Sequence, residues 1–178
     1  MKTLHLSYEL AWRTDADDAF MQSPAWRQIR HNILQKDNYT CQYCAYRADK
    51  GMHVNHIDGN PKNNDPSNLE VICPQCHMIM HSGLWCVVRK VIKIYKKSKY
   101  SQNEIVAITR KLRSEGKDDQ FIIGYLGLEQ ELPWQQDLDY LAPLFGFITS
   151  AIGPTKPLPK PHLTEEEQRN NLANRSKW

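Results

Sequence analysis

The chain has 178 residues, 40% of them apolar and 24% charged, with a formal net charge of +3. That length accommodates one domain with appendages or two small ones. No apolar run approaches the ~18 residues of a membrane span, and the opening Met1-Lys2-Thr3-Leu4-His5 lacks the charged-then-apolar pattern of a secretory leader, so a cytoplasmic location with reduced thiols is expected.

Taken in chain order, residues 1–23 read as an N-terminal extension. Ser23-Pro24 supplies an N-cap followed by proline at the first helical position, and Trp26, Ile29 and Ile33 then share one face of a helix running to about Lys36. Arg27 and Arg30 lie together on a neighbouring face, placed to grip phosphate. Cys41-Gln42-Tyr43-Cys44 and Cys73-Pro74-Gln75-Cys76 are two C-x2-C pairs, each offering two thiolates from one tight turn, and together they complete the four-thiolate set of structural zinc. The 28 residues between Cys44 and Cys73 exceed a short finger loop, so further structure is expected inside the gap. Asp58-Gly59-Asn60-Pro61, continued by Asn63 to Pro66, is a strong loop signal. Cys86 reads as a small buried apolar residue.

Trp85, Val88, Val91, Ile92 and Tyr95 are helix-spaced, predicting a basic helix, while their β-branched members leave a strand open. Ser101 and Glu104 form a capping box for a helix ended by Gly116; Asp118 or Asp119 caps a second one through Phe121, Ile122 and Tyr125 to Gly127. Residues 102–127 thus have helix-turn-helix spacing, although the near absence of basic residues in the second helix favours a structural hairpin. Leu138, Leu141, Leu144, Phe145 and Ile148 make an apolar face interrupted by Pro143. Pro154, Pro157, Pro159 and Pro161 mark an extended linker, and Thr164 with Glu167 caps a terminal helix.

Charge is unevenly distributed. Residues 85–113 hold nine Lys/Arg against one Asp/Glu, whereas residues 1–84 hold eight against nine and residues 114–178 six against ten. A basic block of this kind suits a nucleic-acid backbone. Arg89, Lys90, Lys93, Lys96 and Lys97 are its candidate phosphate ligands.

Between and beside the cysteine pairs, His53-Val54-Asn55-His56-Ile57-Asp58-Gly59-Asn60, then Asn64-Asp65-Pro66-Ser67-Asn68-Leu69-Glu70-Val71-Ile72-Cys73, then Pro74-Gln75-Cys76-His77, closely resemble the HNH endonuclease motif, in the subclass with a four-cysteine zinc. The likeness reaches upstream through Trp26 to Arg30 and Asp37 to Cys41, covering about residues 24–83.

The resemblance implies a zinc-stapled ββα-metal core over 24–84; with the basic helix and helical extension read over 85–152 and the linker and terminal helix over 153–178, the chain is expected to be α+β and mostly helical. The resemblance also implies metal-dependent hydrolysis of double-stranded DNA, with His56 as general base, Asn68 bracing the base-bearing loop, and Asn55 and His77 at the catalytic-ion ligand positions. Asn55 departs from the more usual Asp or His. His81, one helical turn beyond His77, is added as a ligand on spacing. Imidazole ligands suit Mn2+, Ni2+ or Co2+ better than Mg2+. Asp58 is an alternative source of the missing carboxylate, His53 an outside candidate, and His5, His31 and His162 are read as idle. The rival function is a non-catalytic zinc module binding nucleic acid or protein, and the C-terminal helices are expected to offer a partner or self-association surface.

Overall fold

A computed structural model describes residues 1–150 and 162–175, and the chain divides into two units that interleave in sequence: Ala11–Pro74 with Lys160–Trp178, and Met1–Leu10 with Gln75–Pro159. The linear segments expected from the sequence are therefore split, because the first ten residues join the later half and the terminal helix joins the earlier one. The proline-rich linker expected after residue 152 falls largely on 151–161, outside the described residues.

In the first unit, Thr14 and Asp17 form a capping box that starts α1 (Asp15–Phe20). Ser23 caps α2 (Pro24–Lys36), and its apolar stripe buries Trp26, Ile33 and Leu34. The helix stops where Asn38 and Tyr39 take left-handed conformations, with φ of 49° and 53°. There the Asp37 carboxylate accepts the Val71 N–H at 3.0 Å, which fixes the outgoing chain against strand β2. Strands β1 (His53–His56) and β2 (Leu69–Ile72) form an antiparallel hairpin in the register His53 with Ile72 and His56 with Leu69. A 3-10 turn, Pro66–Asn68, leads into β2. Helix α3 (Pro74–Met80), which from Gln75 on belongs to the second unit, follows one residue after β2 in sequence, giving the ββα order.

Helix α7 (Glu165–Arg175) begins at a Thr164–Glu167 capping box, as expected from the sequence. It docks on this unit through the Gln168 side chain, which donates to the Asp17 carboxylate and the Trp12 carbonyl. His162, read as having no part in the chemistry, has its two ring nitrogens 2.7 Å from Asp15 and 3.1 Å from Asp18.

The second unit carries a correction. The basic segment expected as a helix is instead a π-type turn, Leu84–Val88, followed by strand β3 (Ile92–Lys97). Ile92 and Ile94 fill the buried side of that strand, where β-branched side chains pack well. Strand β3 lies between β4 (Glu129–Leu132) and β5 (Phe145–Ile148), both antiparallel to it. Pro143 ends the short α6 (Leu138–Leu141) region, so the apolar residues 138–148 divide between a helical turn and β5 rather than one helix. Helices α4 (Gln102–Ser114) and α5 (Asp119–Leu126) form with the expected capping box at Ser101 and a left-handed C-cap at Gly127. Ile105, Leu112, Ile122, Leu126 and Leu128 pack with Tyr95 and Phe147 in one core. The buried Gln102 amide pins α4 to β5 by donating to the Gly146 carbonyl at 2.9 Å and accepting its N–H at 2.6 Å.

The N-terminal segment threads through this unit. Leu4 and Leu6 are buried, Asn103 accepts the Leu4 N–H, and the Ser82 hydroxyl bonds both backbone groups of Ser7. Gly83 makes room for the crossing: a Cβ there would overlap the Glu9 carbonyl oxygen and lie 3.2 Å from the Trp134 ring. Gly83→Ala should destabilise the protein by ~2 kcal/mol or more, whereas Gly124→Ala, in α5 with nothing near its added methyl, should gain ~0.5–1 kcal/mol. Chemical denaturation of the two variants checks the pair.

Candidate functional site

Four cysteines converge. The Sγ atoms of Cys41, Cys44, Cys73 and Cys76 all lie within 4.8 Å of one another, and Cys44 and Cys73 approach to 3.6 Å. A disulfide would need about 2.05 Å, and none forms. Sulfurs on a tetrahedron of ~2.3 Å bonds are roughly 3.8 Å apart, so the set fits zinc. The first knuckle is shaped by a Thr40–Arg47 bridge, by the Cys41 N–H on the Tyr46 carbonyl at 2.9 Å, and by a left-handed Ala45. It is joined to the hairpin by the Gln42 N–H on the Val71 carbonyl at 3.0 Å. The second knuckle closes the hairpin, since Cys73 follows β2 and Cys76 lies in the first turn of α3. Cys86 stands outside the cluster, and burial pushes its thiol up to about 12.

His56, at the end of β1, is 7% exposed. Its ring stacks on Trp26, with centroids 5.6 Å apart and planes 15° from parallel, and its Nε2 lies 3.1 Å from Asn64 Oδ1. Burial holds the imidazole below its ordinary pKa; the Asn64 hydrogen bond and the Asp58 and Asp17 charges act in the opposite direction, and the Arg13 charge reinforces burial. A neutral ring near pH 7 is the result.

Asn68 and Asp58 hold the loop that carries Asn64. The Asn68 amide nitrogen donates to Asp58 and to the Asn63 carbonyl, both at 2.9 Å, while its oxygen accepts the Asp58 N–H. Asp58 accepts further bonds from Asn60 N–H and the Asn63 side chain; burial opposes its ionisation, but these bonds outweigh it and leave its pKa lowered. Its side chain is thus occupied within the turn.

Asn55 is buried beside His56 on β1 and faces Glu70 across the hairpin. The Asn55 amide nitrogen donates to Glu70 Oε1 at 3.1 Å, and the Tyr43 hydroxyl donates to the same oxygen at 2.7 Å. Glu70 was not singled out from the sequence, although a lone carboxylate inside the apolar strand Leu69–Ile72 was a usable signal. His53 opens β1 opposite Ile72 and is exposed.

The rings of His77 on α3 and His81, one residue past its end, meet edge to face, with Nε2 atoms 3.1 Å apart. Two imidazole nitrogens bound at ~2.1 Å to one ion, about a right angle apart, sit roughly 3.0 Å from each other, so this pair fits a shared divalent ion.

The expected phosphate ligands are differently placed. Arg30 donates to the Met52 carbonyl and Arg27 to the Gln22 carbonyl at 3.0 Å. Lys93 pairs with Glu131 at 3.0 Å and Lys97 with Glu129 at 3.3 Å, so acidic β4 offsets part of the basic block. Lys90 and Lys96 are exposed, and Arg89 ends the π-type turn.

Residues 47–78 match the HNH endonuclease family. A stretch of 34 residues is 53% identical to the SPbeta prophage-derived putative HNH homing endonuclease YosQ of Bacillus subtilis, covering 19% of this chain and 20% of that protein. A stretch of 62 residues is 32% identical to the type 4 apparatus protein DotN of Legionella pneumophila, and one of 65 residues is 34% identical to the Zorya protein ZorE of Escherichia coli. These cover 33% and 34% of this chain, and 29% and 18% of the two relatives. The HNH segment supports nuclease-type function. Among the described residues no helix is long and apolar enough to cross a membrane.

Cys73 is fully buried, so Cys73→Ser should abolish zinc retention and collapse the hairpin unit, since structural zinc contributes ~10 kcal/mol or more in small modules. Elemental analysis with thermal unfolding tests this; a folded variant with undiminished zinc would remove Cys73 from the ligand set.

Proposed function

We propose that this chain is a metal-dependent endonuclease of HNH type that hydrolyses phosphodiester bonds of double-stranded DNA, with His56 as general base. The observation that carries the reading is the placement of His56: a buried imidazole stacked on Trp26 with one nitrogen on Asn64, inside the segment that matches the HNH family. With Nε2–H donating to Asn64 Oδ1, the lone pair lies on Nδ1 and takes the proton of the attacking water. Trp26 holds the ring plane, and Asn68 braces the loop that brings Asn64 to it.

His77 and His81, whose Nε2 atoms lie 3.1 Å apart, are the residues to hold a divalent ion. When bound, that ion supplies a Lewis acid toward the phosphate oxygens and the departing 3′ oxygen. Its nitrogen ligands favour Mn2+, Ni2+ or Co2+ over Mg2+. Arg89, Lys90 and Lys96 are offered to the DNA backbone, together with Lys93 and Lys97, whose exposed ion pairs contribute only ~0–1 kcal/mol and exchange readily for phosphate. Arg27 and Arg30 join them through N–H groups beyond those bonded to carbonyls.

A second reading is a non-catalytic zinc module that binds a protein. It draws on the similarity to the apparatus protein DotN and on Phe121 and Tyr125 of α5, each 49% exposed. It also includes self-association through the C-terminal helices.

Plasmid nicking by the zinc-loaded protein with added Mn2+, Mg2+, Ni2+ or Co2+ separates the two. The nuclease reading expects cleavage, reduced ~100-fold or more in His56→Ala with DNA affinity and zinc content unchanged. No cleavage by wild type with any of these ions favours the binding module.

A further inference from the structure

Helix α5 presents an aromatic face that the described fold leaves open. Phe121 and Tyr125 stand four residues apart on it, each 49% exposed, so both rings project from one side of the helix. Tyr125 lies parallel to Tyr100 within 1°, with ring centroids 6.1 Å apart. Gly124 shares that side. It occupies the helix interior, where glycine is less favourable than alanine, and nothing lies within 4 Å of the Cβ it lacks. Internal packing gives no reason for this glycine; its effect is a bare strip of backbone between two aromatic side chains.

The charges at the two ends of the face select its occupant. The Lys117 ammonium lies 5.0 Å from the Phe121 ring centroid, where the helix begins. At the far end the Lys99 stem lies against Gly127, where an added Cβ would overlap its Cγ, Cδ and Cε. Neighbouring carboxylates are held by internal donors: Asp118 by the Phe121 N–H, Asp119 by Arg113 and Ser150, and Glu104 by Ser101. We propose that this face binds a single-stranded nucleic acid, with unpaired bases stacked on Phe121 and Tyr125 and backbone phosphates on Lys117 and Lys99.

Duplex DNA does not suit the face. From Asp118 to Gly127 the helix carries no Lys or Arg into a groove, and paired bases keep their flat sides within the stack. A stacked strand advances about 3.4 Å per nucleotide, whereas rings four helical residues apart are separated by ~6 Å along the axis. Bases splayed from a single strand meet that spacing, and stacking on aromatic rings accepts any base. An apolar protein surface would cover the rings equally well, yet it would leave both lysines without counterions. The inference concerns binding at α5 alone, so it stands whether or not the chain cleaves DNA.

The test is fluorescence anisotropy of labelled oligothymidylate, single-stranded or annealed to its complement, titrated with the zinc-loaded full chain. Phe121→Ala and Tyr125→Ala should each weaken single-strand binding ~5-fold or more, with duplex affinity unchanged. Phe121→Leu, which keeps apolar area without a π-face, should lose nearly as much, and Tyr125→Phe should stay within ~2-fold of wild type. Lys117→Gln and Lys99→Gln should each flatten the single-strand salt slope by ~0.7. Gly124→Leu extends into open space and leaves the fold intact, so its expected ~5-fold loss of single-strand affinity reports on the strip alone. The proposal is overturned if wild type binds no single strand, if Phe121→Ala and Tyr125→Ala bind it as wild type does, or if single strand and duplex weaken equally. Sedimentation that finds wild type self-associating through these rings, with oligonucleotide affinity unmoved by their removal, assigns the face to a second copy and equally overturns it.

Discussion

Four thiolates held within 4.8 Å of one another repel unless a cation lies among them, and that repulsion is the constraint on which the arrangement around the hairpin depends. The chain meets it with two knuckles 28 residues apart in sequence, so one zinc ion bound by them would close a loop that contains the whole of β1, the 57–68 loop and β2. The Gln42 N–H of the first knuckle and the Asp37 carboxylate before it both bond Val71. The hairpin register is therefore determined at the cysteine end and carried strand-wise to His56, which pairs with Leu69.

The same hairpin is unusual in what it buries. A two-stranded element of four residues a side would be better stabilised by Val and Ile at every inward position, because each buried polar group must find a partner or lose ~1–3 kcal/mol. Here Asn55, His56 and Glu70 are buried together, and their partners come from the first knuckle and from the 58–68 loop. A zinc scaffold alone has no use for that set. The polar placement is what favours chemistry over a structural role, and it makes loop and knuckle indispensable for reasons beyond packing.

Local signals were legible and nonlocal ones were not. The cysteine spacing, the His53 to Asn60 run, the Ser23 and Ser101 caps and the Thr164 box all depend on residues a few positions apart, and each forms as read. Strand β3 was misread as helix because its decisive partners, β4 and β5, begin more than thirty residues away, and helix-like spacing of Val91, Ile92 and Tyr95 carried no sign of them. Pairing with β4 also places Glu129 and Glu131 on Lys97 and Lys93, so a charge count along the sequence overstated the field. Glu70 was passed over for a similar reason: its bond to Asn55 depends on the register that sets the two opposite each other. His162 and Gln168 find their partners about 150 positions earlier, through a docking no periodicity announces.

The architecture around the hairpin requires zinc among Cys41, Cys44, Cys73 and Cys76. Zinc K-edge X-ray absorption on the purified full chain measures it directly. The prediction is one zinc per chain with a first shell of four sulfurs at ~2.3 Å and no light-atom ligand. A shell containing nitrogen or oxygen, or a protein that is folded and free of zinc, would contradict it.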